Sequence, residues 1–371
     1  MKTRASSIFM MMLLLTSCNS AKPTSAVAPA TFAKRLYHGT ASVGDFMTIT
    51  VDSVAQTIAY TDVSNTTSGT VPYSVNPDGG YTLSDPTGNL VAAYEVPNYA
   101  MVIQATKTGP SDNTLALVTA VESGQISLAT FEGRPYNFMS FRTAAGGVEA
   151  GSVSVSAQGS ASVSSFWPYG AYNAGNPGSS PFNNQTMDFS QALLDPSGTF
   201  LTVSPSGQGT SYIFGTADGI FAVDTPNGAI LGLTQAASPN FDPTVAGSYN
   251  AIYYQKTGAS TGQGNVETGT PSQGNATLTV GASGQVTFAD AQGNPLAQGT
   301  LTPVAEVSYL YGTAGQLSDP CYGLFTFRLT TANSQQDVFV GFLGQAMLFS
   351  SFTANLSQPG TYSYFYGVGL K

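Results

Sequence analysis

A threefold internal repeat is the feature of this sequence that most constrains its fold. Residues 75–89 (VNPDGGYTLSDPTGN) align without a gap with residues 280–294 (VGASGQVTFADAQGN), and Val, Gly, Thr, Asp, Gly and Asn coincide. A middle copy is visible where residues 152–163 (SVSVSAQGSASV) align with residues 277–288 (TLTVGASGQVTF). The copies begin near Gly44, Gly133 and Gly247. Each copy is longer than the roughly 40–50 residues of one propeller blade.

The residue pattern inside each copy predicts β-strands. Ser or Thr alternates with apolar residues in Ser152–Val155 and Thr277–Val280, which predicts strands with one solvated face. Later segments of each copy are continuously apolar, as expected for strands covered on both faces. Only 8% of the residues are charged and 41 are glycine, so helix formers are scarce. We predict an all-β fold of three tandem antiparallel meander modules, barrel-like or sandwich-like, with a single β-propeller of two blades per repeat as the alternative.

The N-terminus carries a recognisable export signal. Lys2 and Arg4 precede an apolar run of eight residues, 8–15 (IFMMMLLL), which is too short to span a bilayer as a helix. The run ends in Leu-Thr-Ser-Cys18, which resembles the lipobox of bacterial lipoproteins. The resemblance implies cleavage before Cys18 and a diacylglycerol group on its thiol, with fatty acyl chains such as palmitate. It also implies that Asn19 does not retain the protein at the inner membrane, so anchoring to the outer membrane is expected.

These signals divide the chain into expected segments. We expect a signal peptide over 1–17, a lipid anchor and flexible tether over 18–36, and β repeats over 37–130, 131–240 and 241–371. The formal net charge of −9 would repel a phosphate backbone, so no nucleic-acid partner is expected. The expected partners are the membrane, through acyl chains on Cys18, and an envelope glycan, a protein or a small apolar ligand.

Two segments depart from the repeat and are interpreted as loops. Residues 165–192 are unusually aromatic, and Trp167, Tyr169 and Tyr172 are the candidate binding residues because flat rings stack on sugars or peptides. The alternative is that these rings only fix the loop onto the sheet. Residues 257–274 are rich in Gly, Thr, Gln and Ser, which predicts a mobile excursion.

Catalytic chemistry finds little support in the sequence. The single histidine, His38, is expected to be exposed before the first strand, and Cys321 is expected to be a small buried apolar residue. Residues 258–262 (GASTG) match a hydrolase nucleophile pattern, but they lie in a polar segment without a downstream histidine. We therefore predict no catalytic residues, no metal site and no cofactor.

Paired carboxylates are the remaining route to an enzyme. Two of them would have to face each other about 5–10 Å apart across a cleft, as in glycoside hydrolases. The glutamates in or beside predicted strands are expected to be solvated edge or turn residues: Glu95, Glu122, Glu132, Glu149 and Glu306. Asp85 and Asp290 occupy matched Asp-x-x-Gly-Asn turns and are expected to cap those turns.

Three functions stay open, in order of preference. The first is an exported lipoprotein, anchored to the membrane, with a non-catalytic binding or structural role at the cell envelope. The second is a carrier of a small apolar ligand in a barrel cavity, which a cavity of more than a few hundred Å³ would favour. The third is a carboxylate-dependent hydrolase, which two buried carboxylates across a cleft would favour.

Overall fold

Antiparallel β-strands form nearly all of the regular structure. The computed structural model describes residues 34–84, 88–108, 113–143, 149–156, 159–167, 186–204, 209–260, 268–304, 321–330, 335–352 and 360–371. In these ranges the helical elements are two single 3₁₀ turns, Leu128–Thr130 and Pro243–Val245. Residues Ala33–Lys371 form one compact unit that contains every described strand.

The first eight strands close into a barrel. They run in sequence order, each pairing antiparallel with the next, and β1 pairs with β8 to complete the ring. Closure removes the free strand edges that invite aggregation. The strands are β1 (Lys34–Ala41), β2 (Phe46–Asp52), β3 (Thr57–Asp62), β4 (Thr67–Val75), β5 (Tyr81–Ser84), β6 (Leu90–Val96), β7 (Ala100–Thr108) and β8 (Asn113–Glu122).

The second sheet is a nine-stranded meander whose first strand, β9, pairs with its last strand, β17. Its edges are β12 and β13, so the ring is open at one seam. The strands are β9 (Pro135–Phe141), β10 (Glu149–Val155), β11 (Ser160–Trp167), β12 (Thr186–Asp188), β13 (Leu193–Leu194), β14 (Leu201–Val203), β15 (Ser211–Gly215), β16 (Ile220–Thr225) and β17 (Gly228–Thr234).

The third sheet repeats this plan, with β18 paired to β26 and with β21 and β22 at the edges. The strands are β18 (Gly247–Ser260), β19 (Thr268–Val280), β20 (Gln285–Asp290), β21 (Pro295–Thr300), β22 (Thr302–Pro303), β23 (Leu324–Thr330), β24 (Gln335–Leu343), β25 (Ala346–Phe352) and β26 (Gly360–Leu370). The predicted all-β fold of three meander modules is confirmed. The propeller alternative is wrong, because the strands form an eight-stranded barrel and two nine-stranded sheets rather than four-stranded blades.

The sequence repeat corresponds to a repeated hairpin turn. Gly79, Gly159 and Gly284 adopt φ values of 84°, 77° and 82°. Each donates its N–H to the carbonyl three residues earlier, at 3.0, 2.9 and 2.9 Å. Such a φ is strained for a residue with a Cβ, which explains why glycine recurs there. In the first module this turn joins the fourth and fifth strands, β4 and β5. In the other two modules it joins the second and third strands, which are β10 and β11 or β19 and β20, so the turn recurs at a different position in the module.

The polar segment 257–274 differs from its prediction as a mobile excursion. Its described residues extend β18 and β19 into a long hairpin, with Thr257 opposite Thr270 and Gly258 opposite Gly269. Strand β18 also pairs with β26 along its other edge, up to Ser260. Hydrogen-bond ladders on both sides hold this polar sequence in a strand, which local composition does not reveal.

One hydrophobic cluster joins all three modules. It is formed by the outward face of the first barrel and the facing sides of both sheets, with buried members such as Phe46, Leu117, Phe214, Phe339 and Tyr366. The prediction for Cys321 is confirmed, since it is fully buried in this cluster just before β23. The sheet of the first barrel is thus buried on both faces: the inner face lines the lumen, and part of the outer face packs against the other two modules.

Candidate ligand cavity

The lumen of the first barrel is built by alternation along its strands. Successive side chains of a strand point to opposite faces, so Ile49 and Val51 face the lumen while Phe46 faces the shared core. The buried lumen side chains form one cluster: Tyr37, Ala41, Ile49, Val51, Ile58, Tyr73, Tyr81, Leu83, Ala93, Met101, Ala116, Val118 and Ala120. An eight-stranded barrel has an interior that side chains can fill or that can hold one small ligand.

A buried ion pair fills one end of this lumen, which we call the plugged end. Arg35 donates from Nε and Nη2 to the two carboxylate oxygens of Glu95, at 2.6 and 2.7 Å. Tyr37 donates its hydroxyl to Glu95 Oε1 at 2.5 Å, and Tyr81 donates to Oε2. The Glu95 side chain is fully buried and that of Arg35 is 9% exposed. Both carboxylate oxygens are therefore saturated by donors inside the barrel.

The plug holds its tyrosines as neutral donors. Burial and the Glu95 carboxylate raise the pKa of the Tyr37 and Tyr81 hydroxyls, so neither ionises at neutral pH. The hydrogen bond from Arg35 to Glu95 raises the pKa of the guanidinium. The plugged end is a fixed structural element with no acceptor left over on Glu95 for a ligand.

The expectation that Glu95 is a solvated strand-edge residue is wrong. On β6 it has the same parity as Ala93, which is buried in the lumen, so its side chain points inward. A charge is tolerated there because Arg35 lies across the barrel on β1, 60 residues away in sequence. Glu122 is exposed as expected. The side chains of Glu149 and Glu306 lie outside the described residues.

The opposite end of the lumen is hollow. A cavity lined by residues from all eight strands of the barrel has a volume of about 390 Å³, within the 300–1,000 Å³ range of small-molecule sites. Its apolar lining consists of Ala41, Val43, Met47, Ile49, Ile58, Tyr60, Val71, Leu83, Val91, Ile103, Ala105, Ala116 and Val118.

Small residues on the wall leave this space open. Ala41, Ala105 and Ala116 stand where larger side chains would fill the lumen. The Tyr60 ring lies against Gly69 on the neighbouring strand, where any Cβ would come within about 2.8 Å of the hydroxyl oxygen. The glycine lets the ring lie flat along the wall instead of pointing across the lumen.

Polar groups surround the open end, which we call the mouth. Lys107 Nζ and Asn65 Nδ2 both donate to Asp45 Oδ1, each at 2.7 Å. Asn65 also donates to Asp62, from Nδ2 to Oδ2 at 2.8 Å and from its backbone N–H to Oδ1 at 3.0 Å. The Lys107 side chain is 42% exposed while that of Asp45 is 6% exposed. Ser84 is exposed as well, so solvent reaches the cavity from this side.

The third module supports the cavity wall from outside. Gln104, which lines the cavity, donates its side-chain amide to Asn275 Oδ1 at 2.9 Å. Gln273 donates to the carbonyl of Ala116 at 2.5 Å and to that of Ala105 at 3.3 Å. These bonds fix β7 and β8 beside the cavity, so the wall is held by the fold as a whole.

The second module contacts the barrel through two buried titratable groups. Thr40 donates its hydroxyl to Asp224 Oδ1 at 2.6 Å. Burial and the negative charges of Asp45 and Asp62 raise the pKa of Asp224 to about 8. The expectation that His38 is exposed is wrong, because it lies on β1 among Phe46, Phe200 and Phe214 and is 5% exposed.

His38 is held as a neutral ring. Its Nε2 lies 2.8 Å from Ser123 Oγ, and burial lowers its pKa to about 4. Its Nδ1 is buried without a hydrogen-bond partner. The aromatic rings that surround His38 explain its position in the core, where it does not reach the cavity.

The predicted binding and lipidation residues lie mostly beyond the described ranges. Trp167 ends β11, but its side chain is outside the described residues. Tyr169, Tyr172 and Cys18 also lie outside them. Of the two matched turns, Asp290 accepts from the N–H groups of Gln292 and Asn294 at 2.9 and 2.8 Å, which confirms its capping role.

No three His, Cys, Asp or Glu side chains gather as a metal site among the residues with described positions. No helix within the described part of the chain has the length and apolarity needed to cross a membrane.

Comparison with known proteins gives distant structural likeness alone. No protein-family profile and no curated protein sequence matches the chain. Two solved structures of transferrin binding protein B are similar to it: a variant of the Haemophilus parasuis Hp5 protein, at a TM-score of 0.27, and the isotype 1 protein of serogroup B Neisseria meningitidis, at 0.29. Each is 10% identical and covers 88% of this chain, which spans 66% of the length of those structures. Likeness at this level does not establish shared function.

Proposed function

We propose that this protein is an exported lipoprotein with a non-catalytic binding role, and that the first barrel holds one small apolar ligand. The cavity carries this proposal. It combines about 390 Å³ of space, a lining of aliphatic and aromatic side chains, and a single polar end. Burying an apolar ligand there gains about 25 cal/mol for each Å² removed from water.

The arrangement of carboxylates supports binding over hydrolysis. A glycoside hydrolase needs one carboxyl free to donate a proton and another free to act as base or nucleophile. Asp45 and Asp62 are instead bridged by the same Asn65 amide, and Asp45 also accepts from Lys107. Glu95 is saturated by donors at the plugged end. Each of these three carboxylates therefore takes part in structural hydrogen bonds, and the cavity wall between them is mainly apolar.

Anchoring is proposed from the sequence signal. Acyl chains on Cys18 would hold the protein at a membrane, with outer-membrane anchoring preferred because Asn19 follows the cysteine. Trp167, Tyr169 and Tyr172 remain proposed as a second contact, for an envelope glycan or protein. Cys18→Ser is expected to move the protein from the membrane fraction to the soluble fraction, and intact-mass analysis of the wild type should show the acyl chains.

Ligand binding is tested by filling the cavity. The fragment 33–371 is suited to this because it forms one compact unit without the proposed anchor. N-phenylnaphthylamine, a neutral apolar dye that brightens in apolar sites, should bind it saturably with one site per chain. Val71→Phe, on the cavity wall, should abolish the bright signal.

Thr70→Phe is the matched control, because Thr70 is the next residue on β4 and is exposed on the outer face of the barrel. It should leave dye binding unchanged. Equal binding by both variants and the wild type would place the dye elsewhere and contradict the proposal.

A further inference from the structure

The mouth of the cavity has an unused acceptor. Asp45 Oδ1 accepts both of the hydrogen bonds that reach this carboxylate, from Lys107 and from Asn65. Its second oxygen, Oδ2, accepts none from the residues that the structure describes. Asp45 itself lines the cavity. A carboxylate oxygen at the end of an apolar cavity is a strong acceptor for a ligand that can donate a hydrogen bond.

The charges at the mouth favour a cation. Among the described residues that line the entrance, two carboxylates, Asp45 and Asp62, face one ammonium, Lys107, which gives these three groups a formal charge of −1. Lys107 is already bound to Asp45 at 2.7 Å, so it is not free to pair with an anion without giving up that contact. A ligand carboxylate would be placed beside two like charges, while a ligand ammonium would be placed beside opposite ones.

The negative charges of Asp45 and Asp62 also act on a nearby buried carboxyl group, that of Asp224. Asp224 contacts Thr40 on the outer side of β1, behind the mouth. Burial is the main cause of its raised pKa; the charges of Asp45 and Asp62 raise it further, while the hydrogen bond from Thr40 and the charge of Lys107 lower it. The negative charge of the mouth therefore extends through the barrel wall. The chain as a whole has a formal charge of −9, which would draw cations toward it and repel anions.

From this geometry we infer that the cavity takes a small cationic amphiphile: an apolar chain or ring inside the barrel, with a protonated amine at the mouth on Asp45 Oδ2. This inference rests on the proposed binding function and names its ligand class. The apolar part lies against residues such as Ile49, Val71 and Val118, and the plug closes the far end. The ligand enters through the mouth with its apolar end first and leaves through the mouth with its amine first.

Competition between three ligands with one chain and different heads tests the inference. Decylammonium, decanol and decanoate are titrated, at neutral pH and below micelle formation, against N-phenylnaphthylamine bound to the fragment 33–371. Decylammonium should displace the dye at a concentration about tenfold lower than decanoate, since a charge-assisted hydrogen bond favours one and repulsion opposes the other. Decanol should fall between them. Added salt should narrow the gap.

Variants of the residues at the mouth test whether the preference for decylammonium over decanoate arises there. Asp45→Asn should reduce the preference for decylammonium several-fold, while Lys107→Met should increase it, and both should still bind the neutral dye. Glu122→Gln, an exposed carboxylate on β8 outside the cavity lining, is the matched control and should change nothing.

The outcomes separate the two proposals. Dye binding with decanoate equal to or better than decylammonium would overturn the cationic ligand and leave the apolar cavity intact. A preference that survives in Asp45→Asn unchanged would also overturn the assignment of the head group to the mouth. Absence of dye binding to the wild type would instead overturn the binding function of the cavity itself.

Discussion

The two ends of the first barrel use the same kinds of residue for opposite purposes. At the plugged end a guanidinium and two tyrosine hydroxyls together saturate both oxygens of a carboxylate, and all four groups are buried. At the mouth the carboxylates of Asp45 and Asp62 share one amide and one ammonium, and an acceptor is left over. A saturated network closes a lumen, while an unsaturated one at the edge of a hollow lumen is available to a ligand.

The walls show the same contrast. Large rings such as those of Tyr73 and Tyr81 pack near the plug, with their centroids 4.4 Å apart and their planes tilted by 31°. Alanines and Gly69 stand around the hollow end, where Tyr60 lies flat along the wall. The plugged end should therefore behave as a rigid, close-packed core, and the mouth end should tolerate added volume and changes of charge.

The largest expected effect is at the plug. Glu95→Gln should lower the free energy of unfolding by about 3–5 kcal/mol, because it leaves the buried Arg35 charge without its partner. Denaturant unfolding followed by circular dichroism measures this. Arg35→Met combined with Glu95→Leu should recover most of the loss, since it removes both charges. A loss no larger than that of exposed Glu122→Gln would mean that the plug does not stabilise the barrel.

The same enlargement should have different costs at the two ends. Val51 is fully buried in the packed lumen, so Val51→Phe should destabilise the protein by about 1–3 kcal/mol. Val71 lines the hollow, so Val71→Phe should change stability by less than about 0.5 kcal/mol or increase it. Thermal unfolding of both variants makes the comparison. Equal losses would show that the hollow end is as tightly packed as the plug.

Stability should fall as pH rises from about 6.5 to 8 because of Asp224. Its folded pKa of about 8 exceeds its unfolded value, so the folded state holds the extra proton and its stabilisation is lost as pH rises through 8. His38 acts in the opposite direction, because its pKa is about 4 in the folded state and about 6.5 in the unfolded state. Its contribution to folding stability therefore increases with pH between these two values and offsets the loss from Asp224 there. The net loss above pH 6.5 should be roughly 1–2 kcal/mol.

Two variants identify the source of this pH dependence. Asp224→Asn should flatten the curve of unfolding free energy between pH 6.5 and 8. Asp45→Asn removes a negative charge that raises the pKa of Asp224, so the fall should end at a lower pH and be smaller than in the wild type. An unchanged curve in Asp45→Asn would contradict the negative field assigned to the mouth.

The smallest expected effect on stability is at Lys107. Its ammonium is partly exposed, so Lys107→Met should cost less than about 1 kcal/mol despite the 2.7 Å contact with Asp45. Unfolding in denaturant checks this. A loss as large as that of Glu95→Gln would mean that the mouth, like the plug, is a structural element.

Much of the fold was predictable because its signals are local. Turn glycines such as Gly284, the alternation in Thr277–Val280 and the capping pattern at Asp290 need only a few neighbouring residues, and the structure confirms them. The solvated face predicted for Ser152–Val155 is wrong at Ser152, which is 1% exposed. Cys321 was also placed correctly in the core. The sequence boundaries proposed for the three repeats stay a prediction, although each sheet takes its strands from one continuous stretch of chain.

The cavity and the plug were not predictable, because they depend on pairing across the barrel. Glu95 is buried only because closure brings β6 opposite β1, where Arg35 supplies the counter-charge. The sequence did carry one indication of this burial. Alternate residues of a strand point to the same face, so Glu95 shares a face of β6 with the apolar residues Val91 and Ala93. His38 was misplaced for a similar reason, since its aromatic neighbours Phe200 and Phe214 come from another module.

The most direct test of a ligand-binding first barrel is a crystal structure of the fragment 33–371 with a bromophenyl-alkylamine. The bromine gives an anomalous signal that reports the position of the apolar end without prior assumption. We expect the peak inside the lumen, among Ile49, Ile58 and Val118, with the amine at Asp45 Oδ2. A peak on the protein surface, or an empty lumen at saturating ligand, would contradict the account.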